Sequence, residues 1–135
     1  MKKKPGTINW IDLTVPDASL VRDFYREVVG WDSVGLDMGG YDDYCMNVSG
    51  TEETVVGICH ARGANAAQPA QWMVYINVAD LDASLAAVKA RGGELLSAVR
   101  TMPGQGRYCV IQDPAGAVAA LYEDLTDSSS PASES

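Results

Sequence analysis

The sequence predicts an α+β domain made of two copies of one β-α-β-β-β unit. The first observation is a repeat, because three residues return 63 positions later: Val15, Asp17 and Gly30 recur as Val78, Asp80 and Gly93. The second observation is the hydrophobic pattern: apolar residues alternate before both Asp residues, as in half-buried strands, and recur at helical spacing after them. The third observation is size, since 135 residues with 47% hydrophobic and 21% charged side chains are typical of one globular domain.

The acidic composition narrows the class of partner. A formal net charge of −8 argues against a nucleic acid or an anionic membrane, which clustered Lys and Arg side chains bind by releasing counterions. This charge favours a small organic molecule that is neutral or cationic. The basic run Lys2-Lys3-Lys4 precedes no apolar segment, and no stretch approaches the ~20 apolar residues of a membrane span. We therefore expect a cytoplasmic protein without a signal peptide or membrane anchor.

The cysteine pattern agrees with that location. Cys45, Cys59 and Cys109 are an odd number of widely spaced cysteines in apolar surroundings, which is typical of reduced core residues. No CxxC pair occurs, so the sequence does not predict a thiolate zinc site.

The first strand of the first copy has two different faces. Residues 7–15 follow a polar lead-in at residues 1–6 and alternate in hydrophobicity. One face is apolar and consists of Ile11, Leu13 and Val15. The other is mixed and consists of Trp10, Asp12 and Thr14. We expect the apolar face to pack on a helix and the mixed face to serve another purpose.

A helix and three further strands complete the first copy. Asp17 is the expected N-cap and Gly30 the expected C-cap of the helix. The apolar stripe that should face the core is Leu20, Val21, Phe24 and Val28. The strands are predicted at residues 31–36, 41–48 and 54–59, with a turn at residues 37–40.

The second copy follows the same plan. A strand at residues 72–78 leads to Asp80 or Asp82 as the cap of a helix that ends at Gly92-Gly93. The later strands are predicted at residues 94–100, 108–112 and 118–122, separated by a glycine loop at 102–106 and an Asp-Pro turn at 113–116.

These elements predict one domain over residues 7–124. The first copy occupies residues 7–60 and the second residues 71–124, and the small, polar residues between them, 61–70, form a linker. Residues 125–135 have no sizeable apolar side chain beyond the first and are predicted to be a disordered tail.

The motifs and their order resemble the vicinal oxygen chelate superfamily, which includes glyoxalase I, bleomycin- and fosfomycin-resistance proteins and extradiol dioxygenases. The resemblance covers residues 7–124 and rests on V-x-D before each helix, Phe24-Tyr25 inside the first helix, Gly30-Trp31 after it, and Asp113-Pro114-Ala115-Gly116-Ala117 before the last strand. It implies that the two units pair into an open β-barrel of the glyoxalase/bleomycin-resistance/dioxygenase type, with a trough between the sheets.

The resemblance also implies where a metal would bind. The family pattern places its four ligands at the positions of Trp10, Gly57, Met73 and Ala120. None of these side chains suits the divalent metals of the superfamily, which need imidazole nitrogens or carboxylate oxygens. The chain also has a single histidine and no GxGxxG or Walker loop, so we expect neither a metal nor another cofactor.

The side chains in phase with those four positions are expected to line the trough. This ligand-binding set is Trp10, Asp12, Thr14, Tyr44, Met46, Met73, Tyr75, Asn77, Tyr108 and Tyr122. Such a mixture of aromatic, apolar and a few polar groups is typical of small-molecule pockets. The alternative is that the two sheets close on each other and these residues become a sealed core. Asp12 favours the pocket, because a buried unpaired carboxylate is costly.

Asp12 and His60 are the candidate catalytic residues. Asp12 is either an acid/base group or a hydrogen-bonded structural carboxylate. His60 is out of phase with Gly57, which favours a loop or outer-face position over a general base at the mouth of the trough. Cys59 is expected to be a small buried residue rather than a nucleophile, and Arg107 to form surface salt bridges.

Three functional hypotheses follow. The leading one is a metal-independent protein that binds an aromatic or flat organic molecule in the trough. The second is a metal-free lyase or isomerase that uses Asp12 or His60 as acid or base. The third is a dimeric or regulatory module without a ligand of its own. In each case the resemblance implies a homodimer.

Overall fold

The computed structural model describes residues 3–63 and 66–126. The greater part of the tail predicted at residues 125–135 lies outside them, as do two residues of the predicted linker. In chain order the elements are β1 (Ile8–Val15), α1 (Ala18–Val29), β2 (Asp32–Asp37), β3 (Asp42–Asn47), β4 (Thr54–His60), β5 (Trp72–Asn77), α2 (Leu81–Ala90), β6 (Glu94–Leu95), β7 (Arg100–Met102), β8 (Gly106–Gln112) and β9 (Val118–Asp124). The predicted α+β class and the repeated strand-helix-strands order are confirmed, and no described helix is long and apolar enough to cross a membrane.

The chain forms two compact units. The first unit is Trp10–Met73, and the second joins Met1–Asn9 to Val74–Ser135, within the described ranges. In the first unit the strand order is β2-β3-β4-β1. β1 and β4 run parallel, whereas β3 is antiparallel to both β2 and β4. The boundaries that the sequence predicted for the domain and linker stay a prediction.

Both ends of α1 are fixed as the sequence predicted. The Asp17 carboxylate accepts a hydrogen bond from the Leu20 N–H at 3.1 Å, which satisfies one of the free donors of the first turn. Gly30 adopts a left-handed conformation with φ of 89°, and its N–H donates to the Arg26 carbonyl.

The buried face of α1 differs from the predicted stripe. Ala18, Val21 and Tyr25 pack on the sheet, whereas Leu20 and Phe24 are 67% and 56% exposed. Two overlapping stripes are available at helical spacing, and the sheet takes the one that begins with the small Ala18, which allows close approach. The prediction that Leu20, Phe24 and Val28 face the core is therefore wrong.

The core of the first unit lies between α1 and its sheet. It contains Leu13, Val15, Tyr44, Met46 and Ile58. The cross-strand register pairs Leu13 with Ile58 and Ile58 with Tyr44, so these side chains share one face.

Tyr44 and Met46 are thereby excluded from the face that carries Asp12. Asp12 is in register with Gly57, and Gly57 with Cys45, so Cys45 is the β3 residue on the Asp12 side. Apolar residues occur on both faces of β3, so the sequence of this strand alone does not show which face packs on the helix. The prediction that Tyr44 and Met46 line the same surface as Asp12 is wrong.

The second unit repeats the arrangement with one irregularity. Its strand order is β5-β9-β8-β6, and β7 also pairs with β8. Leu81, Cys109 and Leu121 form the core with α2, whose N-cap Asp80 accepts from the Ala83 N–H at 3.3 Å. Gly92, with φ of 87°, follows the end of α2.

The strand predicted at residues 94–100 is broken into β6 and β7. Glu94 and Leu95 pair with Gln112 and Ile111, but Arg100 pairs with Tyr108, so the segment 94–100 contains two more residues than the part of β8 that it spans, 108–112. The extra residues bulge at Ser97, whose hydroxyl accepts from the Val110 N–H at 2.9 Å. The prediction of one continuous strand is wrong for this reason.

Candidate functional site

Each unit has a sheet face turned away from its own helix, which we call its helix-free face. In the first unit this face carries Trp10, Asp12, Thr14, Asp43, Cys45, Gly57 and Cys59, as the strand registers require. Asp12, Thr14 and Asp43 are 9%, 3% and 8% exposed. Two carboxylates in such positions need hydrogen bonds to offset the loss of water.

Trp10 supplies one of those hydrogen bonds. Its indole N–H donates to the Asp12 Oδ2 at 3.1 Å. The ring lies against the backbone of Gly57, where a Cβ atom would be 2.8 Å from the Trp10 Cζ2. Glycine at position 57 therefore makes room for the indole, and the indole orients the carboxylate. The structure brings together Trp10, Asp12 and Gly57, as the sequence predicted.

Asp43 is the second buried carboxylate of this face and lies beside Cys59. Its Oδ1 accepts from the His60 backbone N–H at 2.8 Å. Burial raises the pKa of the neighbouring Cys59 thiol to about 12, and the negative charges of Asp12 and Asp43 and a hydrogen bond to Asp43 act in the same direction. Cys59 therefore stays a neutral thiol at physiological pH, which agrees with the expectation that it is not a nucleophile.

His60 faces the opposite side of the sheet from Asp12. It is in register with Val15, and its ring contacts those of Tyr41 and Tyr44, with centroids 5.5 and 6.2 Å away. The Nδ1 lies 2.9 Å from the Asp42 carbonyl oxygen, which only accepts, so Nδ1 carries the proton in this contact. The expected outer-face position is confirmed. Because Asp12 and His60 project from opposite faces, the structure does not bring them into one site.

The helix-free face of the second unit is aromatic. Tyr75, Asn77, Tyr108, Val110, Ala120 and Tyr122 share it, because β5, β8 and β9 pair in matching register. The Tyr75 and Tyr108 rings meet edge to face with centroids 5.8 Å apart. Asn77 is 3% exposed, and its amide donates to the Thr7 carbonyl and to the Asn9 side chain at 3.0 and 2.6 Å. The predicted common face of Tyr75, Asn77, Tyr108 and Tyr122 is confirmed.

Tyr122 is held in a fixed place on this face. A Cβ atom at Gly106 would be 2.6 Å from the Tyr122 hydroxyl, so the ring lies over that glycine. The Lys3 ammonium is 5.4 Å from the ring centroid. Burial, followed by the charge of Asp124, raises the pKa of the Tyr122 phenol.

Arg100 is a member of this face that the sequence analysis missed. It pairs with Tyr108, and Tyr108 pairs with Tyr122, so its side chain projects on the aromatic side. The two-residue bulge at Ser97 sets it opposite Tyr108, whereas an unbroken strand would set it opposite Gly106 on the same face. Arg107 projects to the other side, where it pairs with Glu123 and Asp82 at 2.8 and 3.2 Å, as predicted.

Comparison with known proteins decides the family. The model of the Glyoxalase/Bleomycin resistance protein/Dioxygenase superfamily matches residues 7–121. The chain belongs to this superfamily.

Two curated relatives are similar to this chain over only part of their own length. The "Putative glyoxylase CFP32" of Mycobacterium tuberculosis is 31% identical over 129 residues, which cover 89% of this chain and 46% of that protein. The "Anthracycline biosynthesis protein DnrV" of Streptomyces peucetius is 30% identical over 87% of this chain and 47% of its own length. The chain thus spans about half the length of the curated relatives it matches.

A solved structure supports the fold. Methylmalonyl-CoA epimerase from Mycobacterium tuberculosis matches with a TM-score of 0.53 and 17% identity over 92% of this chain and 93% of that one. The predicted fold class, that of the superfamily, is confirmed.

The residues at the superfamily's metal positions do not fit a metal. Trp10 uses its only polar atom to donate to Asp12, and Gly57 has no side chain. Met73 and Ala120 are 1% and 0% exposed and offer a thioether and a methyl group. Within residues 3–63 and 66–126, no three His, Cys, Asp or Glu side chains are grouped to hold a metal ion.

Proposed function

We propose that this superfamily member binds a flat, aromatic organic molecule on the helix-free face of its second unit without a bound metal. The observation that carries the proposal is the aromatic face of the second unit. Tyr75, Tyr108 and Tyr122 are each partly exposed there, although their neighbours Asn77 and Ala120 are buried. Partly exposed rings beside buried polar groups give a surface for stacking and fixed hydrogen-bonding points, which is how small-molecule sites are built.

The helix-free face of the first unit carries a carboxylate. Asp12 is oriented by the Trp10 N–H and is in register with Gly57, whose backbone the Trp10 ring covers. A carboxylate can accept several hydrogen bonds, so this face favours a ligand with an O–H or N–H donor group. Thr14 and Met73 belong to the same proposal, whereas Tyr44 and Met46 do not, because they lie on the helix side of the first unit.

A second candidate function is metal-free proton transfer by Asp12. The buried carboxylate favours it, because a positioned carboxylate in a water-poor site is a plausible general base for a lyase or isomerase. The solved epimerase shares the fold at 17% identity, which supports the scaffold and not the chemistry. His60 faces elsewhere and would act in a separate reaction. The third candidate function is a dimeric or regulatory module without a ligand of its own. Under each candidate we propose a homodimer in the cytoplasm.

A ligand screen tests the leading proposal. Thermal unfolding is followed with aromatic metabolites and, separately, with Ni²⁺, Zn²⁺ and Fe²⁺ on protein pretreated with chelator. A ligand at a hundred times its Kd stabilises the protein by about 2.7 kcal/mol. We expect aromatic molecules to stabilise it and stoichiometric metals to have no effect. Stabilisation by one equivalent of a metal would contradict metal independence.

Two tyrosine variants locate the bound molecule. Tyr108→Leu removes a ring from the helix-free face of the second unit, and Tyr41→Leu removes one from the His60 side of the first. Loss of one stacking contact weakens binding by about 2- to 10-fold, corresponding to ~0.5–1.5 kcal/mol. We expect this loss in Tyr108→Leu alone. For the enzymatic alternative, Asp12→Asn should abolish turnover and retain affinity.

A further inference from the structure

We propose that the ligand is a planar organic anion, such as an aromatic carboxylate, and that Arg100 binds its negative group. This inference rests on the proposed function, which supplies the aromatic ligand, and adds its charge and the residue that recognises it. It departs from the neutral or cationic ligand that the net charge of −8 favours.

The register places Arg100 at one end of a row of side chains. Arg100 pairs with Tyr108, Tyr108 with Tyr122, and Tyr122 with Asn77. Neighbouring strands lie ~4.8 Å apart, so Arg100, Tyr108 and Tyr122 follow one another across the sheet at about this spacing. A flat molecule that stacks on Tyr108 therefore presents its edge to Arg100.

The register places two carboxylates, Asp124 and Glu94, on the same face as Arg100. Asp124 is 7% exposed and accepts from the Lys3 N–H and the Thr126 N–H and hydroxyl. Burial opposes ionisation of Asp124, yet the hydrogen bonds from Thr126 and Lys3 leave its pKa lowered, so it stays charged and satisfied. Glu94 pairs with Gln112, four residues along β8 from Tyr108, or about 13 Å away.

An arginine side chain can bind an aromatic carboxylate even in a protein of negative net charge. Its planar guanidinium matches a carboxylate with two parallel N–H donors and stacks on aromatic rings. Charges farther than about 10 Å are largely screened at physiological salt, so the protein's acidic surface weighs less on the ligand than an adjacent guanidinium. Arg100 is partly exposed, which leaves it within reach of a ligand on the tyrosines.

Matched probes test the charge directly. Benzoate, 2-naphthoate and anthracene-2-carboxylate are compared with their neutral amides by NMR titration of ¹³C-tyrosine-labelled protein at millimolar probe. We expect at least one acid to bind about tenfold more tightly than its amide and to shift the tyrosine signals. Arg100→Gln should remove this preference, and Arg100→Lys should restore part of it.

Arg107→Gln is the matched control, because Arg107 is adjacent to Tyr108 but projects from the other face onto Glu123 and Asp82. It should leave the preference intact. Amides that bind as well as or better than the acids, or a preference that survives Arg100→Gln, would overturn the inference and leave the proposed function standing. If no probe of either kind binds, both the inference and the proposed function fail.

Discussion

The helix-free faces of the two units carry opposite chemistry on the same β-α-β-β-β plan. In the first unit, carboxylates gather around a glycine that an indole covers: Asp12 and Asp43 lie on the face, and Trp10 rests on Gly57. In the second unit, Tyr122 rests on Gly106 and belongs to the row of phenols that begins at the guanidinium of Arg100.

The difference shows which part of a duplicated unit is free to change. The helix side has kept one task in both copies, because Leu13 and Met46 in the first and Cys109 and Leu121 in the second exclude water together with the helix. The other face contributes chemistry instead, and a change of side chain there leaves that core in place. The two faces can therefore diverge in charge while the strand registers remain.

The largest predicted effect concerns the two cysteines, one in each unit. The pKa of Cys59 is raised from 9.0 to about 12 by burial and by Asp12 and Asp43, whereas burial alone raises that of Cys109. A thiol with a raised folded-state pKa contributes its stability in full below pH 9, and this contribution is lost as pH rises from 9 towards 12. The full loss has a ceiling of about 4 kcal/mol and is smaller here because Cys59 is partly exposed.

The measurement is chemical denaturation between pH 8 and pH 11 for the wild type and Cys59→Ala, with cysteine ¹³Cβ shifts as the site-specific readout. Alkaline destabilisation should be weaker in Cys59→Ala. Asp12→Asn should lower the pKa of Cys59 and leave that of Cys109 unchanged, and the exposed Glu94→Gln should affect neither. Equal shifts at both cysteines in Asp12→Asn would show that the charge of Asp12 does not act locally on Cys59.

The next effect compares the two glycines under aromatic rings. A Cβ atom at Gly106 would be 2.5 Å from the Glu123 carbonyl oxygen as well as 2.6 Å from Tyr122, whereas at Gly57 the closest atom is the Trp10 ring at 2.8 Å. Backbone cannot yield as a side chain can, so Gly106→Ala should destabilise by about 3 kcal/mol and Gly57→Ala by about 1 kcal/mol. Urea denaturation measures both.

Double variants separate ring from backbone in this comparison. Trp10→Ala should relieve most of the strain of Gly57→Ala, because the indole is the closest obstacle. Tyr122→Ala should relieve only part of that of Gly106→Ala, because the Glu123 carbonyl remains. Full rescue at Gly106, or a larger cost at Gly57, would reverse our account of the two glycines.

The sequence alone revealed the features that local patterns determine. The repeat, the caps at Asp17 and Asp80 and the aromatic phase of β8 and β9 follow from spacing within one segment, and all are observed. The common face of Trp10, Asp12 and Gly57 was also predictable, because the superfamily's strand pattern fixes it.

The features that it missed depend on contacts between segments. Tyr44 and Met46 lie on the helix side because of how β3 pairs with β4, and Phe24 is exposed because α1 packs through Ala18. Arg100 lies opposite Tyr108 because of a bulge at Ser97. No turn-forming residue at that place in the sequence predicts the bulge. Such choices are settled by packing across the sheet, which the pattern of one strand does not contain.

The smallest predicted effect concerns the helix caps, where the two units should respond almost alike. Asp17 accepts from the Leu20 N–H at 3.1 Å and Asp80 from the Ala83 N–H at 3.3 Å, so replacing either by alanine leaves a first-turn donor to water and should cost about 1 kcal/mol. α2 has a second acid, Asp82, in its first turn and α1 has none, so Asp80→Ala should cost a few tenths of a kcal/mol less than Asp17→Ala. Asparagine at either position keeps the capping oxygen and should restore most of the loss in urea denaturation. A cost at Asp80 well above that at Asp17 would mean that the two copies differ on the helix side as well as on the helix-free faces.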